Sequence, residues 1–348
     1  AASLLLVGCA STATSGPEAP TRIILLIADG AGVAHWTLAA FADEDLAIRR
    51  MRTIGLVDGR GSDHTVSGSA PTATAYATGM RTFMGAVGVG PDGAPAETVV
   101  EAALARGMST GLMTTTALAD ATPAAFGAHA VSRSALGDIS RQMSTKGITV
   151  LMGGGRATFR PAMQPDSSDL LAEVRDSYTY VESLEALRSL DLDTVETLLG
   201  LFAEGDMGVV ADRGSALQWM TSAALRILGR NPNGFFLMVE NEESDTQAHR
   251  NADMGTITAE MLDFDAAVGL ALDYQARHPE TLVLVTSDHE TGGISLTYDE
   301  TREIVMEYAS TGHTGTLIPL FASGPGAERF AGIIENYRVG EILLQMVR

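Results

Sequence analysis

Arg22-Ile23-Ile24-Leu25-Leu26-Ile27-Ala28-Asp29 is an unbroken apolar run that ends directly in a carboxylate. A short run rich in isoleucine and leucine, with no polar alternation, reads as a buried strand. The pattern recurs twice: Phe235–Val239 leads into Glu240, and Leu282–Thr286 into Asp288 and His289. In an open α/β sheet, ligands collect in the crevice beyond the carboxyl ends of the strands. Three carboxylates converging there repel one another unless cations lie between them. The spacing therefore predicts a metal site at the strand ends of an α/β protein.

Outward from these runs, apolar segments alternate with helical periodicity, the sign of a mostly parallel sheet covered by helices. Strands are expected at 22–28, 109–115, 148–153, 196–203, 234–240, 281–287 and 316–323, and helices at 37–52, 97–106, 134–146, 215–229, 256–277 and 336–347. Residues 154–181 are weakly patterned and read as a surface excursion, and 290–312 as a short insert. The 348 residues divide into a leader and linker over 1–20 and a single domain over 21–348.

A net charge of −20 argues against nucleic acid or anionic membrane as an electrostatic partner. Lys146 is the one lysine and no basic cluster occurs, so an anionic substrate needs bound cations to offset the protein's own field. The single Cys9 excludes an internal disulfide and a cysteine-based zinc cluster. It follows the apolar Ala1–Val7 and precedes a polar stretch, as at the end of a bacterial lipoprotein signal. An exported protein is expected, in the periplasm or on the outer surface, anchored by lipid on Cys9; the alternative is an incidental cysteine.

Several short motifs carry chemistry, each beside a plainer reading. In Ser67-Gly68-Ser69-Ala70-Pro71-Thr72-Ala73, Pro71 suits a first helical turn and places Ser69 at a helix N-terminus, where backbone N–H groups favour a phosphate. On local grounds alone an ordinary serine cap is the favoured reading, and the remainder of the chain reverses it. Glu240, Asp245 and His249 fall within ten residues, and Asp245 and His249 are one helical turn apart, able to face one cation. Acidic residues before a histidine also describe a solvated loop, the reading given to Glu242 and Glu243. His313 lies between glycines; His35, His64, His129 and His278 have no comparable setting and receive no role.

Taken in order, Ile27-Ala28-Asp29-Gly30-Ala31-Gly32, Ser69-Ala70-Pro71-Thr72-Ala73-Thr74-Ala75, Asp120-Ala121-Thr122-Pro123-Ala124, Ser132-Arg133, Val239-Glu240, Asp245 with His249, Ser287-Asp288-His289 and His313-Thr314-Gly315 resemble the bacterial alkaline phosphatases of the metal-dependent, serine-nucleophile type. The resemblance runs from Arg22 to the C-terminus. It implies a three-layer αβα sandwich with a reduced crown insert, and a phosphomonoesterase with two zinc ions and one magnesium ion. One zinc falls to Asp245, His249 and His313, and the second to Asp29, Asp288 and His289 beside Ser69. Magnesium falls to Asp29, Thr122 and Glu240. That division suits imidazole at zinc and oxygen donors at a hard ion. Ser69 becomes the nucleophile that carries a phosphoserine, and Arg133 the fork on phosphate, with Asp120 near the bound substrate and favouring magnesium. Small phosphate monoesters are the implied substrates and phosphate scavenging the implied role. A homodimer is a candidate assembly that the short insert leaves open, and an open site of broad leaving-group tolerance is expected.

Two departures from the family pattern stand out. Aspartate is common where Gly68 precedes the nucleophile, and some members carry a basic residue where Thr246 follows Asp245. Weaker phosphate inhibition and a more mobile Arg133 are the expected consequences. A sulfatase or phosphodiesterase of the same superfamily is the competing enzymatic reading. The serine motif lacks the arginine a sulfatase needs, and diesterases generally lack the magnesium site and arginine clamp. A non-catalytic phosphate-binding lipoprotein is the reading from a different class, motivated by Gly68 alone.

Overall fold

The computed structural model describes residues 20–348; Cys9 and nearly all of the 1–20 leader lie outside them. The strands are β1 (Arg22–Ala28), β2 (Thr53–Asp58), β3 (Ser109–Ala117), β4 (Val150–Gly154), β5 (Thr179–Val181), β6 (Leu198–Leu201), β7 (Phe235–Asn241), β8 (Thr281–Thr286), β9 (Glu290–Thr291), β10 (Ser295–Tyr298), β11 (Ile304–Glu307), β12 (His313–Thr314), β13 (Ile318–Ser323) and β14 (Gly332–Glu335). Ten of them form one sheet in the order β14-β2-β13-β8-β1-β7-β3-β4-β6-β5. Among the described strands of that sheet only β13 runs antiparallel to its neighbours. Every strand expected from the sequence is present.

Along β1, alternate residues enter opposite layers. Ile23, Leu25 and Ile27 pack with Tyr76, Phe126 and Leu343, while Ile24, Leu26 and Ala28 pack with Trp36, Phe264 and Val268. Burial on both faces explains the unbroken apolar run and makes the expected three-layer αβα sandwich. The register then positions the chemistry. Ile27 of β1 lies opposite Glu240 of β7 and Thr286 of β8, so all three strand-end carboxylates leave the sheet at one edge.

Three expectations change. The helix expected at 37–52 is a helix over Val33–Ala42, a single turn over Ala47–Arg50, and β2. The acidic run Asp43-Glu44-Asp45 ends the helix, and Asp265 pins the turn by accepting the Ala47 and Ile48 N–H groups at 2.6 and 2.9 Å. The excursion over 154–181 buries Phe159, Leu170 and Val174 and ends in edge strand β5. Strands β2, β5 and β14 lie in the outer parts of the sheet and are too short or too irregularly buried for alternation to mark them. The insert after His289 is a small hairpin, β10 with β11, followed by β12 paired to β9. Among the described residues no helix is long and apolar enough to cross a membrane.

Lys146 serves the fold. It donates to Glu101, which also meets His129 Nε2 at 2.8 Å and accepts the Thr98 N–H at 3.0 Å in a capping box on helix Val99–Ala105. Burial opposes the Glu101 charge, but His129, Lys146 and Thr98 outweigh it and hold its pKa at about 2. The pKa is depressed, so this stability is present above the ordinary value of 4.5 and is lost as pH falls toward 2. Glu101→Gln is expected to cost about 2 kcal/mol near pH 7, read by denaturant unfolding, with the difference shrinking below pH 4. A variant gap that persists unchanged at pH 3 would contradict the assignment.

Candidate active site

Asp29 follows β1 through a tight turn in which Gly30 takes φ +68°, and a β-carbon there would lie 2.6 Å from Asp245 Oδ1. Only glycine permits both the turn and that approach. The Gly30 N–H donates to Asp288 Oδ1 at 3.1 Å, so the ends of β1 and β8 are tied together. His289 Nε2 then stands 3.4 Å from Asp29 Oδ1 and 3.2 Å from Asp288 Oδ2. Ligand atoms of these three residues fall within 4.8 Å of one another. Ser69 opens the helix Ser69–Thr78, with Gly68 as its N-cap, and its Oγ lies 3.3 Å from the same His289 Nε2. Tyr76, two turns along, donates to the Ser287 carbonyl at 2.8 Å and locks the serine helix to the end of β8.

The second set comes from the short helix Glu243–His249 and from β12. His249 Nε2 is 3.2 Å from Asp245 Oδ2 and 3.0 Å from His313 Nε2, and His313 Nε2 is 3.9 Å from Asp245 Oδ1. Both rings are oriented through their other nitrogen: His249 Nδ1–H donates to the Thr311 carbonyl at 2.6 Å and His313 Nδ1–H to the Ser67 carbonyl at 2.8 Å. In neutral rings those donations leave lone pairs on both Nε2 atoms, which face each other. A cation between them resolves the repulsion, and second-layer orientation of this kind is typical of metal-binding histidines. His289 stacks on His313 at 3.6 Å between centroids and forms the wall between the two sets.

Asp29, Thr122 and Glu240, all buried, line one cleft and offer oxygen donors only. Glu240 Oε2 accepts from Thr114 Oγ1 at 2.5 Å, while Thr122, in helix Ala121–Gly127, holds a buried hydroxyl without a partner. Asp29 Oδ1 and Asp288 Oδ2 are likewise buried and receive no hydrogen bond. Burial, then the charges of Asp288, Asp245 and Glu240, push the Asp29 carboxyl well above its usual range. Burial pushes Glu240 up to about 8. At the other set, the hydrogen bond that protonated His249 donates to Asp245 raises its pKa to about 9. Orphaned carboxylate and hydroxyl oxygens, together with facing imidazole nitrogens, are a donor array that fits divalent cations.

These sets line a polar cleft of about 160 Å³ that also takes in Asp120 and Arg133. Every site residue expected from the sequence is brought together here or, for Asp288 and His289, directly against it. The mobility of Arg133 is expected from Gly68, and the structure adds a contact to weigh against it. Asp120 Oδ1 accepts from Arg133 Nη2 at 2.5 Å, supplying the carboxylate partner that Gly68 lacks. Glu242 and Glu243 are not a solvated loop. Glu243 is buried and accepts from Gln247 at 2.7 Å. Glu242 lines the cleft with Oε2 unpartnered, its other oxygen accepting from the Thr246 hydroxyl. The residue standing where a basic group was looked for therefore holds another carboxylate toward the cleft. Helical spacing from 242 to 246 was the available signal, obscured by the run of charges.

Comparison with known proteins agrees with this geometry. The alkaline phosphatase family profile matches residues 21–306. Alkaline phosphatase 4 of Bacillus subtilis (strain 168) is 30% identical over 365 residues, covering 82% of this chain and 77% of that protein. The alkaline phosphatase of the Antarctic bacterium TAB5 superposes with a TM-score of 0.88 at 32% identity, covering 95% of this chain and 99% of that one. A variant of that enzyme, with Mg bound in its M3 site, superposes equally, with a TM-score of 0.88 at 32% identity and the same coverage of 95% and 99%.

Proposed function

The chain belongs to the alkaline phosphatase family and is a metal-dependent phosphomonoesterase, and from that premise we propose that it works through a phosphoserine on Ser69 with two zinc ions and one magnesium ion. Asp245, His249 and His313 would hold one zinc, Asp29, Asp288 and His289 the second, and Asp29, Thr122 and Glu240 the magnesium. When bound, the cations supply Lewis-acid chemistry, lowering the pKa of oxygens they touch and offsetting charge on phosphate and leaving alcohol.

Ser69 Oγ forms a bond to phosphorus as the ester P–O bond breaks and the alcohol departs on the opposite side. Water then cleaves the phosphoserine and releases inorganic phosphate. The N-terminus of helix Ser69–Thr78 directs backbone N–H groups and a favourable dipole at the dianion. Arg133, steadied by Asp120, offers a planar fork to two nonbridging oxygens, which a monoester can fill and a diester cannot fill as well. The single observation that carries this reading is Ser69 Oγ at 3.3 Å from His289 Nε2, in one cleft with Arg133.

Arg133→Ala is expected to lower kcat/KM for a nitrophenyl phosphate monoester about 10²-fold, and to lower the diester rate far less. An unchanged monoester-to-diester ratio would overturn the assigned role. Elemental analysis after reconstitution tests the cations, with two zinc and one magnesium per chain as the expected content. The phosphate-scavenging role and a lipid tether on Cys9 complete the reading, the tether supported by the apolar stretch before Cys9 and the polar stretch after it. A homodimer remains part of the proposal, tested by sedimentation.

A further inference from the structure

Gly68 stands directly before Ser69, and its backbone makes no demand for glycine. Its φ of −139° and ψ of 173° are extended geometry open to any residue. Its surroundings explain it better. A β-carbon at 68 would lie 3.2 Å from Met84 Sδ, 3.6 Å from His313 Cε1 and 3.7 Å from His313 Nδ1. The missing side chain leaves a space before the nucleophile that a methionine sulfur and the His313 ring both border. The Met84 N–H is tied to Asp63 Oδ1 at 3.3 Å, so the backbone behind that sulfur is fixed.

Met84 is nonetheless 49% exposed, and a further apolar side chain stands partly in water beside the His313 loop. Val66 is 42% exposed, with a methyl 3.6 Å from the β-carbon position of Gly315, two residues beyond His313. The cleft itself is polar, and Met84 and Val66 are apolar side chains beside the loops that carry Ser69 and His313 rather than among its lining.

We propose that Met84 is a specificity-determining residue that receives the alcohol part of the ester and favours an aryl leaving group over a polyhydroxylated one. In an in-line displacement the alcohol departs opposite Ser69 Oγ; Asp245, His249 and His313 are the set proposed to offset its charge, and Met84 Sδ borders the same space beside Gly68 as the His313 ring. A polarizable thioether makes favourable contacts with ring edges. The proposal rests on the phosphomonoesterase activity above and narrows the broad tolerance expected from the short insert.

The test compares kcat/KM for phenyl phosphate and glycerol phosphate in wild type, Met84→Ala, Met84→Leu and Gly68→Ala, with inhibition by inorganic phosphate measured alongside. Met84→Ala is expected to lower the phenyl-to-glycerol ratio about five- to tenfold, and Met84→Leu to restore most of it. Gly68→Ala, whose methyl displaces the sulfur, is expected to lower the ratio as well. Inhibition by phosphate, which has no leaving group, moves less than about twofold. An unchanged ratio in Met84→Ala overturns the proposal, as does a phosphate inhibition constant that shifts as much as the ratio. A wild type that turns over neither ester strikes the phosphomonoesterase reading itself and takes this proposal with it.

Discussion

Ser69→Ala is expected to lower kcat for phosphate monoesters by about 10⁴-fold or more, the scale on which removal of a covalent nucleophile acts. The argument is local. Ser69 Oγ is the hydroxyl beside the Asp29, Asp288 and His289 set, at 3.3 Å from His289 Nε2, and it opens a helix whose N-terminus faces the cleft. Alanine is at least as good a helix former, and the serine is only 5% exposed, so folding is expected to be unaffected. The carboxylates and imidazoles remain, so metal content is expected to stay near the wild-type value. A variant that keeps its metals and its melting temperature but loses turnover isolates the nucleophile. Full activity in Ser69→Ala would remove the assignment outright.

Asp29→Asn is expected to act oppositely on the metal-loaded and metal-free protein. Asp29 belongs to both the second zinc set and the magnesium set. Loss of its charge is expected to cost at least about 10³-fold in kcat/KM, more than the 10–100-fold that loss of an outer partner costs. Without cations, the same carboxylate is a liability. Burial and then Asp288, Asp245 and Glu240 push its pKa well up, and Glu240 rises to about 8. A carboxyl whose folded pKa is raised holds its proton longer in the folded than in the unfolded state. Stability therefore falls as pH rises from the unfolded value, 4.5 for Glu240, to the folded value of about 8. Chelated wild type is expected to lose melting temperature between pH 6 and 8, whereas the metal-loaded protein is not. In chelator at pH 8, Asp29→Asn is expected to melt about 5 °C above wild type, since it relieves one buried charge. With metals restored the order reverses. Thermal melts of both proteins with and without chelator at the two pH values check this, and a variant less stable in both states would contradict it.

The sequence made the central strands legible because burial on both faces leaves no charged residue in their apolar runs. Ile23–Ile27, Phe235–Val239 and Leu282–Thr286 are all fully buried apart from Thr286, which is 1% exposed. Their carboxylates were legible for the same reason, as charges abutting runs that tolerate none. The periphery was harder. Strand β2 has a mixed burial pattern, and the turn before it is shaped by Asp265, more than two hundred residues away. Partners across the fold were invisible in the same way. The spacing of Asp120 and Arg133 says nothing of their direct contact, and Gly68 looked like a lost constraint until Met84 and His313 were found in the space beside it. Glu242 was hidden by its neighbour: two adjacent acidic residues suggest solvent, yet one is buried and the other lines the cleft.

The central claim is that phosphoryl transfer proceeds through Ser69 in two displacements. The stereochemical course of turnover, measured with a monoester made chiral at phosphorus by oxygen isotopes, tests it most directly. Each in-line displacement inverts the configuration, so attack by Ser69 followed by attack of water predicts net retention in the transferred phosphoryl group. Net inversion would mean a single direct attack by water and would contradict the account.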